Sequence, residues 1–178
     1  MDHKKKNILE LTRCTVSEYQ RKEKFPVSVL LENVRSGYNV GSVFRTADAF
    51  LINKIILSGI SGIPPHPEIK KTALGAEECV EWEYVEDALG ACEKMKSEGW
   101  KICVLEQAHN SILLQDFKTE IGERYLIVAG NEVEGVSQSI INMADYVIEI
   151  PQFGVKHSLN VSVSVGIALW QFVKRMIL

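Results

Sequence analysis

Short apolar runs rich in β-branched residues alternate with stretches of helical periodicity along most of this chain, and few architectures accommodate that alternation. The runs are Val27–Leu31, Lys54–Leu57, Val80–Tyr84, Lys101–Leu105, Arg124–Ala129 and Tyr146–Ile150. Between them, Val43, Phe44, Ala47 and Leu51 recur at helical spacing, and Glu86–Glu98 and Ser137–Met143 read as helices. Asn160–Met176 closes the chain as a helix that is apolar nearly all round to Trp170. Strands that are buried on both faces and separated by helical crossovers predict an α/β fold, a largely parallel sheet with flanking helices.

With 178 residues, 46% of them hydrophobic, the chain has enough apolar material for one core. The reading divides it into a basic N-terminal extension over 1–26 and a single domain over 27–178. No apolar run reaches the roughly 18 residues of a membrane span, and Met1-Asp2-His3-Lys4-Lys5-Lys6 is followed by no secretory core, so a cytoplasmic protein is expected. Cys14, Cys79, Cys92 and Cys103 are scattered without a Cys-x-x-Cys pair, which predicts reduced, mostly buried thiols. His66, His109 and His157 are isolated, so no metal site is expected. The net charge of −3 does not favour a nucleic-acid partner, but its distribution is uneven. Residues 1–24 carry seven Lys or Arg against four acids, +3 against −6 for the remainder. That front end reads either as a solvated, partly frayed helix or as an arm that touches RNA phosphates.

Ligands of open parallel sheets gather at the carboxyl ends of the strands, which singles out the loops after Leu31, Ala129 and Ile150. None contains Gly-x-Gly-x-x-Gly, and the chain has no Gly-x-x-x-x-Gly-Lys-Ser/Thr, which leaves another nucleoside-like ligand open. The first loop, Glu32 to Gly41, is expected to end in a helix capped by Asn39, with Gly41 allowing a close backbone approach and Arg45 about one turn in. Arg45 suits either a phosphate clamp or an ordinary ion pair. The second loop, Gly130-Asn131-Glu132-Val133-Glu134-Gly135, sets a polar pair between glycines: a presenting loop for a ligand, or a turn and cap for the next helix. In the third, Ile150 to Trp170, Ser158 or Asn160 can cap the last helix, while Ser162, Ser164 and Gly166 provide small sites for close packing.

Together these loops resemble the three motifs of the SpoU/TrmH branch of the SPOUT RNA methyltransferases. Asn39-Val40-Gly41-Ser42-Val43-Phe44-Arg45 resembles the family's Asn-x-Gly-x-x-x-Arg. Gly130 to Gly135 resembles its Gly-Asn-Glu-x-x-Gly. Ile150 to Val163 resembles its Ile-Pro-x-x-Gly-x-x-x-Ser-Leu-Asn-Val-Ser-Val. Order and spacing agree, and the resemblance runs from about Val27 to the C-terminus; Gly37 stands where proline is common and Gln152 where methionine is usual. It implies a C-terminal deep trefoil knot that holds S-adenosylmethionine, gripped here at Leu105, Glu106, Gly130, Ile150, Ser158 and Leu159. It also implies transfer of the methyl group to a ribose 2′-hydroxyl of RNA. The compact chain suits tRNA, with rRNA as the alternative.

Within that resemblance the catalytic set is Asn39, Arg45, Glu132, Ser158 and Asn160. Arg45 would clamp the substrate phosphate, Glu132 would orient Arg45 and Asn39, and Ser158 with Asn160 would order the loop around the methyl donor. Family dimers bring the first-motif arginine near the partner's cofactor. The last helix, with Trp170 and Phe172, is read as the homodimer interface because it offers no polar face. Two rival readings stand beside this one: a catalytically silent knotted RNA-binding or scaffold subunit, and a Rossmann-type small-molecule enzyme, which the missing glycine fingerprint disfavours.

Overall fold

The computed structural model describes residues 3–7, 10 and 14–177. Asp2 and Arg13, which enter the front-end charge count, lie outside the described residues; Lys4, Lys5 and Lys6 are exposed. Among the described residues seven strands form one sheet: β1 (Val27–Glu32), β2 (Ile55–Ser58), β3 (Trp82–Val85), β4 (Trp100–Leu105), β5 (Ile112–Leu113), β6 (Arg124–Ala129) and β7 (Tyr146–Glu149). Their order is β3-β2-β1-β6-β4-β7-β5, and every pairing is parallel. The helices are α1 (Val16–Arg21), α2 (Gly37–Ala49), α3 (Pro67–Ala73), α4 (Ala76–Cys79), α5 (Ala88–Ser97), α6 (Gln138–Met143) and α7 (Val161–Val173).

The period of two along each strand sorts side chains onto two cores. Val27, Val29 and Leu31 of β1 join Tyr125, Ile127 and Ala129 of β6 on the face covered by α2, α3 and α7. Leu30, Ile102, Val104, Leu126 and Val128 face the other way, toward α5 and α6. Every residue of β1 is buried, as expected of a central parallel strand sealed on both faces. Among the described residues no helix is long and apolar enough to cross a membrane.

Strand positions expected from sequence agree with those observed to within two residues. The helix ends differ. α2 starts at Gly37, not after an Asn39 cap, because the Ser36 side chain accepts the Asn39 amide at 3.4 Å and performs the capping. Leu51, expected on that helix, lies beyond it with φ 51°. α3 follows the proline-rich loop, with Pro67 at its first turn and the His66 imidazole as its cap. β5 has two residues, too few to carry a periodic signal. Gly41 needs its missing side chain: a Cβ there would overlap Thr72 and the Ile69 carbonyl, where α2 and α3 cross.

α1, inside the segment read as an extension, is anchored. Thr15 and Glu18 form a capping box, Tyr19 is buried, and the Lys24 ammonium lies 3.4 Å from the centre of the Tyr19 ring. All four cysteines are free. Cys92 and Cys103 are buried, Cys79 is half-buried and Cys14 is exposed. Burial pushes the Cys92 thiol up to about 12 and raises Cys103 as well, so neither supplies a thiolate near neutral pH.

The last helix is two-faced, which corrects the expectation that Phe172 belongs to an interface. Phe172 is fully buried and stacks on Phe117 at 4.9 Å, with Tyr125 edge-on at 5.4 Å. A sequence that is apolar all round gives no way to tell the inner face from the outer. Trp170 points outward and is 54% exposed, in line with Val163 and Ile167. Phe172→Ala is therefore expected to lower stability by about 3–5 kcal/mol in urea denaturation, whatever the oligomeric state.

Candidate active site

The carboxyl ends of β4, β6 and β7 open into a cavity of about 350 Å³. Its apolar wall consists of Leu105, Ala129, Ile148, Ile150, Leu159 and Val161, and its polar rim is contributed by the loops that follow the same strands. The size and the mixture of apolar wall and polar rim suit a small organic ligand.

One loop is shaped by close backbone contact. A Cβ on Gly130 would overlap the backbone of Gly135 and Val136, so the chain folds back on itself only with glycine there. Gly135 itself has φ 68°, and a side chain on it would strike the Glu106 carboxylate. The turn is filled by Asn131, whose Oδ1 accepts the amides of Val133 and Glu134, both at 2.9 Å. Two carboxylates fasten the loop to the sheet. Glu106 accepts the amide of Val136 at 3.0 Å on one oxygen and that of Gln107 at 2.9 Å on the other. Glu32, at the end of β1, is buried and accepts the Ser137 amide at 2.8 Å.

The third loop is tied in from both ends. Gln107 donates its side-chain amide to the His157 carbonyl at 2.6 Å. Asn160 caps α7, its Oδ1 accepting the Ser162 amide at 2.9 Å and the Ser162 hydroxyl at 2.7 Å. Its Nδ2 then donates to Asn39 Oδ1 at 3.0 Å, and Asn39 in turn donates to the Glu132 carboxylate. This three-residue bridge joins positions separated by 93 and 121 residues in sequence and links all three loops.

The positions singled out from sequence are distributed as follows. Leu105, Glu106, Gly130, Ile150, Ser158 and Leu159 all line the cavity, as does Glu132. Asn39 and Asn160 lie outside its wall but reach it through Glu132. Arg45 stands apart, exposed on α2. Among the described residues Glu132 binds Asn39 and makes no salt bridge to Arg45, so the expected Glu132–Arg45 pairing is absent from this geometry. Sequence reasoning did not single out Gln107 or Glu32, and it marked Asn131 as half of the loop's polar pair without the turn-filling role that its Oδ1 performs. Glu32 directly follows a predicted strand and Gln107 lies two residues beyond one, the one signal that could have found them. Among the described residues no group of three or more His, Cys, Asp and Glu is arranged to hold a metal ion.

The model of the SpoU rRNA Methylase family matches residues 26–170. This chain belongs to that family. Among individual members it is similar to the tRNA (guanosine(18)-2'-O)-methyltransferase of Aquifex aeolicus (strain VF5), with 27% identity over 170 residues, 92% of this chain and 76% of the relative. It is equally similar, at 27% over 157 residues, to the 23S rRNA (guanosine-2'-O-)-methyltransferase RlmB of Pseudomonas putida (strain KT2440). That match covers 88% of this chain and 62% of the relative. Among solved structures, the A. aeolicus TrmH/SpoU tRNA modifying enzyme superposes with a TM-score of 0.77 at 27% identity, covering 88% of this chain and 78% of that one. The AdoMet-bound rRNA methyltransferase from Sinorhizobium meliloti shares the fold with a TM-score of 0.80 at 24% identity. The SpoU-family chain spans 58% of that protein, so it corresponds to about three-fifths of several of its longer relatives.

If the Asn160–Asn39–Glu132 bridge couples the loops of this SpoU-family site, Asn39→Ala and Glu132→Ala should be non-additive. A double-mutant cycle by urea denaturation is expected to give a coupling of about 0.5–1 kcal/mol, modest because the bonds are exposed. Amide exchange in the 131–135 loop should accelerate in either single variant.

Proposed function

We propose that this chain transfers a methyl group from S-adenosylmethionine to a ribose 2′-hydroxyl of RNA, tRNA in preference to rRNA, and that it works in the cytoplasm as a homodimer with its C-terminal segment knotted. The observation that carries this reading is the cavity, on which the six cofactor positions expected from sequence converge. Its apolar wall suits the two faces of an adenine, and its loop carbonyls and amides suit the ring edge and ribose. The basic arm, with Lys4, Lys5 and Lys6 exposed, is assigned to RNA phosphates.

Leu105, Ile150 and Leu159 would hold the adenosine, with Gly130 and Ser158 at its edge; Glu106 keeps the wall in shape through the Val136 amide. When bound, the cofactor supplies a methyl group on a sulfonium, a good leaving group. What this chain must add is position and charge stabilisation. Arg45, free of any described salt bridge, is assigned to a substrate phosphate and to the alkoxide that develops on the ribose oxygen. A guanidinium stays protonated in proteins and is a poor proton acceptor, so the hydroxyl proton goes to an RNA phosphate or water. Asn39, Glu132 and Asn160 would keep the loops in register around the methyl donor, with Ser158 on the wall.

That Arg45 is absent from the wall of its own chain's cavity supports a role at the partner's cavity. The outward stripe of α7 supports the same arrangement: Val163 (49% exposed), Ile167 (40%) and Trp170 (54%) recur at helical spacing and form an apolar face open to solvent. Trp170→Glu is expected to yield monomers by analytical ultracentrifugation with the fold intact, because the side chain lies outside the core. A dimeric Trp170→Glu protein would remove α7 from the interface.

The function itself is tested by calorimetry with S-adenosylmethionine beside single-turnover methylation of bulk tRNA and rRNA. One cofactor per subunit and EDTA-insensitive transfer are expected; cofactor binding without transfer to any RNA would favour the silent scaffold. Arg45→Ala should leave cofactor affinity nearly unchanged and slow transfer by about 10² to 10³, as for loss of a group that acts on developing charge. Arg45→Lys should be nearly as slow, since a point charge does not reproduce the planar fork.

A further inference from the structure

α2 has a solvent-facing stripe of which the roles assigned above use only Arg45. Residues 38, 42, 45 and 49 fall on one side of a helix by their spacing, and Tyr38, Arg45 and Ala49 are exposed while Ser42 is half-buried. The opposite side, with Val40, Val43, Phe44 and Ala47, is fully buried. Tyr38 and Arg45 are therefore two turns apart on one face, about 10 Å along the axis.

Tyr38 is held by its backbone, and its ring lies at the surface beneath the Lys71 ammonium. Its carbonyl accepts the Ser42 hydroxyl at 2.8 Å and the Thr72 hydroxyl at 3.0 Å, which ties it to α3. Tyr38 is 42% exposed, and the Lys71 ammonium lies 5.6 Å from the centre of its ring. An exposed aromatic on a fixed backbone, flanked by a cation, suits an unpaired nucleobase: the ring offers a stacking face and the ammonium a phosphate contact. Pre-ordering lowers the cost of binding, because the backbone that carries the ring has little freedom left to lose. The adjoining Asn39 is bound to Glu132 on the cavity wall, so the platform is one residue from the machinery of transfer.

We infer that Tyr38 and Lys71 form a stacking platform for an unpaired RNA base adjacent to the nucleotide whose phosphate Arg45 holds. The inference rests on the RNA-methyltransferase reading. Lys71 covers the ring face that the base takes; displaced from it, the ammonium turns to that nucleotide's phosphate. A target presented in a single-stranded loop fits this surface, and a continuous duplex, whose bases are already stacked, does not.

The test uses the full chain, bulk unmodified tRNA and rRNA as methyl acceptors, and single-stranded and duplex RNA oligonucleotides for binding. Tyr38→Ala should raise the RNA KM by about tenfold, the loss expected for one base stack, with S-adenosylmethionine affinity unchanged. Tyr38→Phe keeps the ring and should restore most of the affinity, whereas Tyr38→Leu should not. Lys71→Gln should flatten the salt dependence of RNA binding by about one phosphate contact. An RNA KM for Tyr38→Ala within twofold of wild type, in a protein that methylates RNA, overturns the platform and leaves the methyltransferase reading intact. Wild-type protein that transfers no methyl group yet binds single strands in a Tyr38-dependent manner supports the platform and sinks the reading. Failure of wild type to bind RNA at all defeats both. Dissociation of the Tyr38→Ala protein into monomers with unchanged RNA affinity makes this surface a protein contact and overturns the inference.

Discussion

The structure depends on a parallel backbone ladder whose central strands have no free face. β1, β6 and β4 are hydrogen-bonded to neighbours on both sides, and their side chains enter two separate cores. Parallel neighbours cannot be joined by tight turns, so each connection must cross a face of the sheet as a helix or long loop. All strands then end at the same edge, and the backbone groups left unpaired there collect in one place. The cavity at the ends of β4, β6 and β7 is the outcome of that constraint.

Shape at that edge comes from backbone contact more than from side-chain packing. The fold-back at Gly130 and Gly135 brings two loop segments closer than any side chain permits, and the Glu106 carboxylate fits into the space saved. Glu32 holds the far end of the same loop from β1, the strand that pairs directly with β6. A buried carboxylate that receives backbone N–H groups keeps its charge satisfied, and it also fixes the loop's position relative to the ladder. The polar bridge Asn160–Asn39–Glu132 continues this fastening out to α2.

α2 and α7 have divided duties. Each buries one face in the same core, and they pack beside one another. The outward face of α7 is apolar, while that of α2 carries Tyr38 and Arg45. A surface with both an apolar stripe and an adjacent unpaired cation is suited to two neighbours of different chemistry, a protein on one and an anionic strand on the other.

Local sequence carries the fold class, the positions of six of the seven described strands and the loops in which chemistry would be found. Those features are written in local periodicity, in the burial demanded of parallel strands, and in short motifs whose spacing survives without tertiary information. The resemblance to the family's motifs also marked Leu105, Glu106, Gly130, Ile150, Ser158 and Leu159, which the fold brings to one cavity. Tertiary structure decided the rest. Which face of the all-apolar α7 turns inward, with Phe172 in and Trp170 out, has no local signal, because both residues are equally hydrophobic. Ser36 replaces Asn39 as the cap of α2 since Asn39 has partners more than ninety residues away, and no local pattern records a bond of that range. Glu132 pairs with Asn39 in place of Arg45 for the same reason: side-chain partners across loops are selected by where the ladder sets each loop, a property of the folded sheet alone.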